Sequence, residues 1–203
     1  MPRKNASQER SRATVDALLA ATARVLVRDG YDRASTNKIA EAAGVSIGSL
    51  YQYFPSKEAL VAAVVRRHID EMMSVVRSTL VRVATMPVPE AARELVKVMI
   101  DAHRIDPRLH RVLGEQIPRM GSVEAIERID DEATALVRAY LEGRRDELAV
   151  SDIDVAAFLV VTAVEAMTHA AVLRRPDLLE RPALVDEIAA LVTRYLTTGQ
   201  PID

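Results

Sequence analysis

The sequence contains no cysteine and no tryptophan, and aromatic residues make up only 3% of its 203 residues. The absence of cysteine excludes disulfide bridges, thiolate metal sites and thiol nucleophiles. No uncharged apolar run approaches the roughly 20 residues that a membrane span needs. The first residues also lack the apolar segment of a signal peptide. We therefore expect a soluble, cytoplasmic protein without a membrane partner.

Charge is distributed unevenly along the chain. Residues 1–57 hold nine lysines and arginines against five acids, a net charge of +4. The remaining 146 residues hold 18 basic and 24 acidic residues, a net charge of −6. A basic N-terminal segment on an acidic body favours contact with a polyanion such as nucleic acid, although chance can produce the same asymmetry.

Helix-favouring residues dominate the composition, and the few glycines and prolines stand between helical segments. Apolar residues recur at three- and four-residue spacing, and the period-2 pattern of strands is missing. The sequence therefore predicts an all-α fold of about nine helices. Predicted spans are 7–28, 36–43, 47–53, 57–83, 90–102, 122–142, 151–174 and 183–196, with at most short helices over 103–121.

The last two predicted helices carry more apolar residues than one buried face requires. The segment 151–174 is apolar nearly all round, and such a helix must be buried on all sides. A second copy of the chain can provide that cover in a four-helix homodimer interface. The alternative is a central helix inside a monomeric bundle. A dimer predicts that a charge placed at Val164 or Val192 causes dissociation or aggregation.

Residues 35–54 have the pattern of a helix-turn-helix motif. Gly44 can supply the positive φ of the turn, Ala40 is small at the helix crossing, and Val45 and Leu50 fill the core. The second helix is left with small, hydroxyl-bearing or amide side chains, and these belong to Ser46, Ile47, Gly48, Ser49, Tyr51, Gln52 and Tyr53. Such a helix fits the roughly 12 Å major groove of DNA. Burial of the two tyrosines in the core is the alternative.

The amino-acid sequence of this region is more specific than a helix-turn-helix pattern alone. It reads V-L-V-R-D-G-Y-D-R-A-S-T-N-K-I-A-E-A-A-G-V-S-I-G-S-L-Y-Q-Y-F-P-S-K-E-A-L up to Leu60. From Ala17 to Leu60 the chain resembles the N-terminal domain of the tetracycline-repressor (TetR) family of transcriptional regulators. The remainder is similar to that family only in outline, through its long connecting helix and the two apolar helices at the end.

The resemblance implies an architecture and an activity. It implies an N-terminal three-helix DNA-binding domain over 1–55 and a C-terminal helical bundle over 56–203 for ligand binding and dimerisation. A helix from about 57 to 83 would connect the two. It further implies a homodimeric repressor that binds a palindromic operator in double-stranded DNA and is released by a small effector molecule.

The resemblance also assigns roles to residues of this sequence. The DNA-contacting set that it implies is Thr36, Asn37, Lys38, Ser46, Ile47, Gly48, Ser49, Tyr51, Gln52, Tyr53 and Lys57. Within this set the tyrosine hydroxyls would contact phosphates, and Gln52 would read adenine through paired hydrogen bonds. Lys57 would meet a phosphate at a helix N-terminus. Ile47 either touches a thymine methyl group or only packs.

The C-terminal two-thirds of the chain should hold the pocket for a largely apolar effector. Flexible methionines suit such a cavity, although each is also an ordinary core residue. The candidate ligand-binding residues are Met72, Met73, Val76, Met99, His103, Gln116, Met120, Tyr140, Glu165 and His169.

Two groupings resemble fragments of a metal site. Glu165 and His169 are spaced i, i+4 on one helix face, and His103, Asp106 and His110 share one irregular stretch. Three ligands at ordered spacing are not evident, so we expect no metal ligands and no cofactor. A histidine and a glutamate without a nucleophile also argue against an enzyme. A metal-responsive regulator and a helical protein-binding adaptor without DNA binding stay open as alternatives.

Overall fold

The structure is a computed structural model that describes residues 3–105, 107–116 and 123–198. In these ranges every regular element is helical, which confirms the all-α prediction. The ten α-helices are α1 (Arg3–Asp29), α2 (Thr36–Ala43), α3 (Ile47–Tyr53), α4 (Lys57–Val83), α5 (Val88–Ile105), α6 (Pro107–Gln116), α7 (Val123–Glu142), α8 (Ile153–Arg174), α9 (Pro176–Leu179) and α10 (Pro182–Thr197). A 3₁₀ turn at Arg145–Glu147 lies between α7 and α8.

The helix limits follow from local capping chemistry. The ends of α2, α3 and α4 agree with the sequence prediction because serine N-caps and Gly44 mark them. The region 103–121 is less irregular than expected, since α6 occupies ten of its residues. Pro107 begins that helix, because the first helical position needs no intrahelical N–H donor. His103 and His110 therefore lie on different helices, α5 and α6, and Asp106 lies outside the described residues.

The chain divides into two compact units. One comprises residues 1–69 and 108–123, and the other comprises 70–107 and 124–203. The helix α4 is continuous and contributes residues to both. The predicted domain limits of 1–55 and 56–203 concern function rather than packing and stay a prediction.

The first unit packs α1 to α3, the beginning of α4 and α6 around one apolar core. Its fully buried side chains are Leu18, Leu26, Ile39, Leu50, Leu60 and Leu113. Leu50 is the inward residue of α3, and its burial holds this seven-residue helix against α1 and α4. The opposite side of α3 is thereby left for solvent.

The second unit has its own core between α5, α8 and α10. The α4–α5 turn is fixed by two hydrogen bonds from the segment that follows α7 and from α7 itself. The Val88 N–H donates to the Glu147 carboxylate at 3.0 Å, and the Tyr140 hydroxyl donates to the Met86 carbonyl at 3.0 Å. Glu147 thereby caps the N-terminus of α5, where a carboxylate also complements the helix dipole.

An apolar surface covers one side of α8 and α10. Its large side chains are 37–57% exposed, and they are Val155, Phe158, Leu159, Leu173, Leu191 and Tyr195. Among the described residues, α8 thus has one covered side and one open side, unlike the central helix of a monomeric bundle. Val164 and Val192 instead point into the core, so a charge there would disrupt folding before it tested association. Among the described helices α8 alone has the length and composition of a membrane span, with a mean hydropathy of 1.8.

Candidate nucleic-acid interface and ligand site

The turn between α2 and α3 is built from backbone hydrogen bonds and two serine caps. Gly44 has φ 69° and ψ 28°, a left-handed conformation that glycine adopts without a Cβ clash. The Val45 N–H donates to the Ala40 carbonyl at 3.0 Å and closes the end of α2. Ser46 caps α3 by accepting from the Ser49 N–H at 3.0 Å. These contacts fix α3 relative to α2.

The exposed side of the motif carries the residues expected to meet DNA. Asn37, Ser46, Ile47, Gly48 and Gln52 are exposed, and Ser49 is half-buried. The hydroxyls of Ser46 and Ser49 lie 2.9 Å apart. This surface is polar and small, with Gln52 supplying an amide that can donate and accept at once.

The two tyrosines of α3 differ in their surroundings. Tyr51 is 51% exposed, and its hydroxyl lies 3.1 Å from the Thr36 hydroxyl, so it links the last turn of α3 to the start of α2. Tyr53 is half-buried and packs against the core of the first unit. Tyr53 thus lies partly in the core, as the alternative for the tyrosines expected, and its contact with DNA stays a prediction.

The cations of the motif have partners within the protein. Lys38 Nζ lies 3.1 Å from an Asp29 carboxylate oxygen and 3.0 Å from the Arg33 carbonyl. The Arg28 guanidinium and then Lys38 hold the pKa of Asp29 well below its usual range. Lys57 Nζ donates to the Tyr31 carbonyl at 3.0 Å and lies 4.1 Å from the centroid of the Tyr31 ring. Both ammonium groups are thus held in defined positions.

Gly48 occupies an open position in α3. A Cβ built on it would have only the Ser46 hydroxyl within 4 Å, at 3.9 Å. Its backbone is helical, so the fold itself does not demand glycine here. A surface without a side chain at this position lets another molecule approach the helix backbone closely.

The predicted effector residues in the second unit have mixed surroundings. Met73 is buried, Met72 and Met99 are half-buried, and Val76 packs beside Leu80. The Tyr140 hydroxyl is engaged by the backbone of the α4–α5 turn, which gives it a structural role. The Gln116 side chain and Met120 lie outside the described residues.

A polar cluster lies inside the second unit, between α5, α7 and α8. The rings of His103 and His169 meet edge to face with centroids 5.2 Å apart. The Asp130 and Glu165 carboxyl groups are hydrogen bonded to each other. Burial, and after it the charge of Asp130, raises the pKa of Glu165 to about 7. Burial also raises the pKa of Asp130 and lowers the pKa of His169.

The sequence located three members of this cluster and missed Asp130. The i, i+4 spacing of Glu165 and His169 placed them on one face, as expected. Asp130 belongs to a run of acids on α7 whose pattern resembles a solvated surface, and only the packing of α7 on α8 brings it to Glu165. In the first unit, His68 Nε2 lies 3.1 Å from His110 Nδ1, a pair that the sequence pattern did not indicate.

Comparison with known proteins identifies two matching family models. The model described as bacterial regulatory proteins, tetR family, matches residues 18–64. The model described as the tetracyclin repressor-like C-terminal domain matches residues 87–196. Together they cover both the motif and most of the second unit.

Individual relatives agree with these models. The transcriptional activator FasR of Mycolicibacterium smegmatis is 38% identical over 98 residues, which are 48% of this chain and 44% of FasR. The chain thus spans less than half the length of FasR. The nucleoid occlusion factor SlmA of Actinobacillus pleuropneumoniae is 26% identical over 73% of this chain and 67% of its own. The fatty acid degradation regulator FadR of Bacillus halodurans shares the fold, with TM-score 0.72, 23% identity and coverage of 88% and 94%.

Proposed function

Since this chain belongs to the TetR family of DNA-binding transcriptional regulators, we propose that it is a repressor that binds a palindromic operator as a homodimer. A small, largely apolar effector would release it. The observation that carries the proposal is the rigid helix-turn-helix motif, whose α3 presents Gln52, Gly48 and Tyr51 to solvent. No catalytic role is proposed, and the site of action is the cytoplasm, where operator DNA is found.

In the proposed interface, some residues position the protein on the DNA backbone and others read the base sequence. Contacts to phosphates fix the register of a protein on DNA and carry no sequence information. Tyr51, Thr36 and Lys57 are suited to phosphates because they offer hydroxyl or ammonium donors, and Thr36 and Lys57 do so at helix N-termini. Gln52 is suited to adenine, since its amide can accept from N6 and donate to N7. Asn37, Lys38 and the start of α3 complete the surface.

The apolar surface on α8 and α10 supports the homodimer. Six large apolar side chains exposed on two adjacent helices exceed the scattered exposure that is normal on monomers. A two-fold axis would pair this surface with its own copy, α8 and α10 against α8 and α10. The same pairing accounts for the membrane-like composition of α8 without a membrane.

The effector site is proposed in the second unit, beside Met72, Met73 and Met99. Methionine side chains adapt to irregular apolar ligands. Of the polar candidates, His103, Glu165 and His169 form one cluster, and Tyr140 supports the fold instead.

The decisive experiment is an unbiased selection of duplex DNA by the full-length protein, followed by affinity measurements over a range of salt concentrations. The proposal predicts a palindromic sequence with half-sites about one helical turn apart. It also predicts a linear fall of the logarithm of affinity with the logarithm of salt concentration. An adaptor without DNA binding would show neither, and no enriched sequence would emerge.

A further inference from the structure

The histidines of this chain are not scattered. The sequence contains four, and all four occur in two ring pairs, His68 with His110 in one unit and His103 with His169 in the other. The second pair is combined with two hydrogen-bonded acids, Asp130 and Glu165. This histidine pair and the acid pair come from three helices of one unit, with Glu165 and His169 on one face of α8 and with the charge of His169 acting on Asp130.

His103 is oriented as metal-binding histidines are. Its Nδ1 lies 2.7 Å from the Met99 carbonyl oxygen, which can only accept, so Nδ1 carries the proton. The neutral ring then presents the lone pair of Nε2. Histidine ligands commonly donate their other ring N–H to a backbone carbonyl, which fixes the tautomer and raises the basicity of the ligating nitrogen. His103 is 1% exposed, so this orientation is held by packing.

The separation of the donors suits one ion. Ligand nitrogens of His103 and His169 lie within 4.8 Å of each other. Two nitrogens bound to one Zn²⁺ are at most about 4.2 Å apart, since each lies about 2.0–2.1 Å from the metal. A small rotation of either ring closes the difference. Glu165 lies one helical turn before His169 on α8, on the same face.

The charge of the cluster also favours a cation. Two adjacent carboxyl groups that are partly shielded from solvent are stabilised by a nearby cation. Asp131 and His169 are also close enough for their charges to act on Asp130. A divalent ion bound beside the two histidines would offset the negative charge of both acids.

We propose that His103, His169, Glu165 and Asp130 form a binding site for one borderline divalent transition-metal ion of the Zn²⁺ class. Imidazole nitrogen with carboxylate oxygen suits Zn²⁺, Co²⁺ and Ni²⁺, whereas Mg²⁺ prefers oxygen ligands and retained water. The ion would join α5, α7 and α8. The inference concerns the free protein and holds whether or not the proposed operator exists.

The test is a metal titration of full-length protein from which metals have been stripped with a chelator. Zn²⁺ binding is measured by calorimetry, and Co²⁺ is used as a probe because bound Co²⁺ absorbs visible light. One ion per chain is expected, with Mg²⁺ unable to compete. Glu165→Gln and His169→Gln should each weaken binding at least about tenfold. Both positions are partly accessible, so these variants are expected to fold.

Glu142→Gln is the matched control, since it removes an exposed acid near the far end of the same helix, where Glu142 pairs with Arg145. It should leave the affinity for Zn²⁺ unchanged, and circular dichroism should show that all variants keep their helices. The proposal is overturned if the protein binds no Zn²⁺. It is equally overturned if both glutamine variants bind as tightly as the unaltered protein, because the ion then lies elsewhere. DNA binding enters neither result.

Discussion

The ammonium of Lys57 lies over the Tyr31 ring, 4.1 Å from its centroid, and donates to the Tyr31 carbonyl at 3.0 Å. This contact holds a cation at the N-terminus of α4. We expect Lys57→Ala to weaken binding to operator and to unrelated duplex alike. It should also make the fall of log affinity with log salt concentration shallower, by the amount that one phosphate contact contributes. Fluorescence anisotropy at several salt concentrations measures both.

The control for that prediction is Lys97→Ala, which removes the same charge from the exposed side of α5, where Lys97 pairs with Asp101. It should leave the affinity and the salt slope unchanged. A loss confined to the operator, with unrelated duplex unaffected, would show that Lys57 reads sequence rather than phosphate.

Gln52 should determine the base at one position of each half-site. Replacing it with alanine removes a paired hydrogen bond to adenine, worth about 1–3 kcal/mol of discrimination. We expect Gln52→Ala to flatten the preference at that position in a selection experiment and to keep most of the affinity for unrelated DNA. Gln8→Ala, an exposed amide on α1, is the control. An unchanged selection profile for Gln52→Ala would remove its base-reading role.

Replacing Gly48 should change the stability of the protein and its affinity for DNA in opposite directions. Glycine inside a helix costs about 0.5–1 kcal/mol relative to alanine, and an added Cβ at this position meets nothing closer than 3.9 Å. Gly48→Ala should therefore raise the free energy of unfolding by up to that amount. If DNA approaches the α3 backbone closely, the same variant should bind operator more weakly. Denaturant unfolding measures the change in stability, and operator titration of the same preparation measures the change in affinity.

The apolar surface on α8 and α10 predicts a concentration-dependent dimer. Phe158→Glu or Leu191→Glu places a charge in the middle of that surface and should yield a folded monomer in sedimentation experiments. Val81→Glu is the control, because Val81 is 80% exposed and lies on α4. A monomeric mass for the unaltered protein at high concentration would refute the proposed interface.

Sequence reasoning was strongest where one local signal settles the structure. Gly44 predicts the end of α2 and Ser46 predicts the start of α3, and the structure confirms both limits. It was weaker where tertiary packing decides between two faces. Tyr51 and Tyr53 look equivalent in the sequence, yet only Tyr51 is exposed because the core needs a second anchor from α3.

The same limit applies to residues that meet across helices. The sequence of α8 does not distinguish the buried side from the exposed side, because the helix is apolar nearly all round. Only the packing of α5 and α10 on α8 shows that Val164 is buried. Asp130 reaches Glu165 through the arrangement of α7 on α8, and no spacing in the sequence encodes a contact of 35 residues' separation. Clusters assembled from several helices therefore require the fold.

Coupling between effector and operator should run through α4. This one helix begins at Lys57 and continues to Val83, passing Met73 on the way. We expect a ligand that displaces α4 near Met73 to displace its Lys57 end as well. Two operator half-sites one helical turn apart tolerate little change in the spacing of the two motifs that bind them. A coupling of about 1–3 kcal/mol would weaken operator binding about 5–150-fold, and DNA must weaken effector binding by the same factor.

Met99→Phe provides the test, because Met99 is half-buried, whereas a larger residue at the buried Met73 would strain the core. We expect this variant to bind operator normally without effector and to lose most of the effector's influence. Val81→Phe, on the exposed side of α4, should keep the full response. The effector used is an apolar molecule selected by its thermal stabilisation of the purified protein. Equal operator affinity with and without that molecule, once it is shown to bind in the second unit, would exclude coupling through α4.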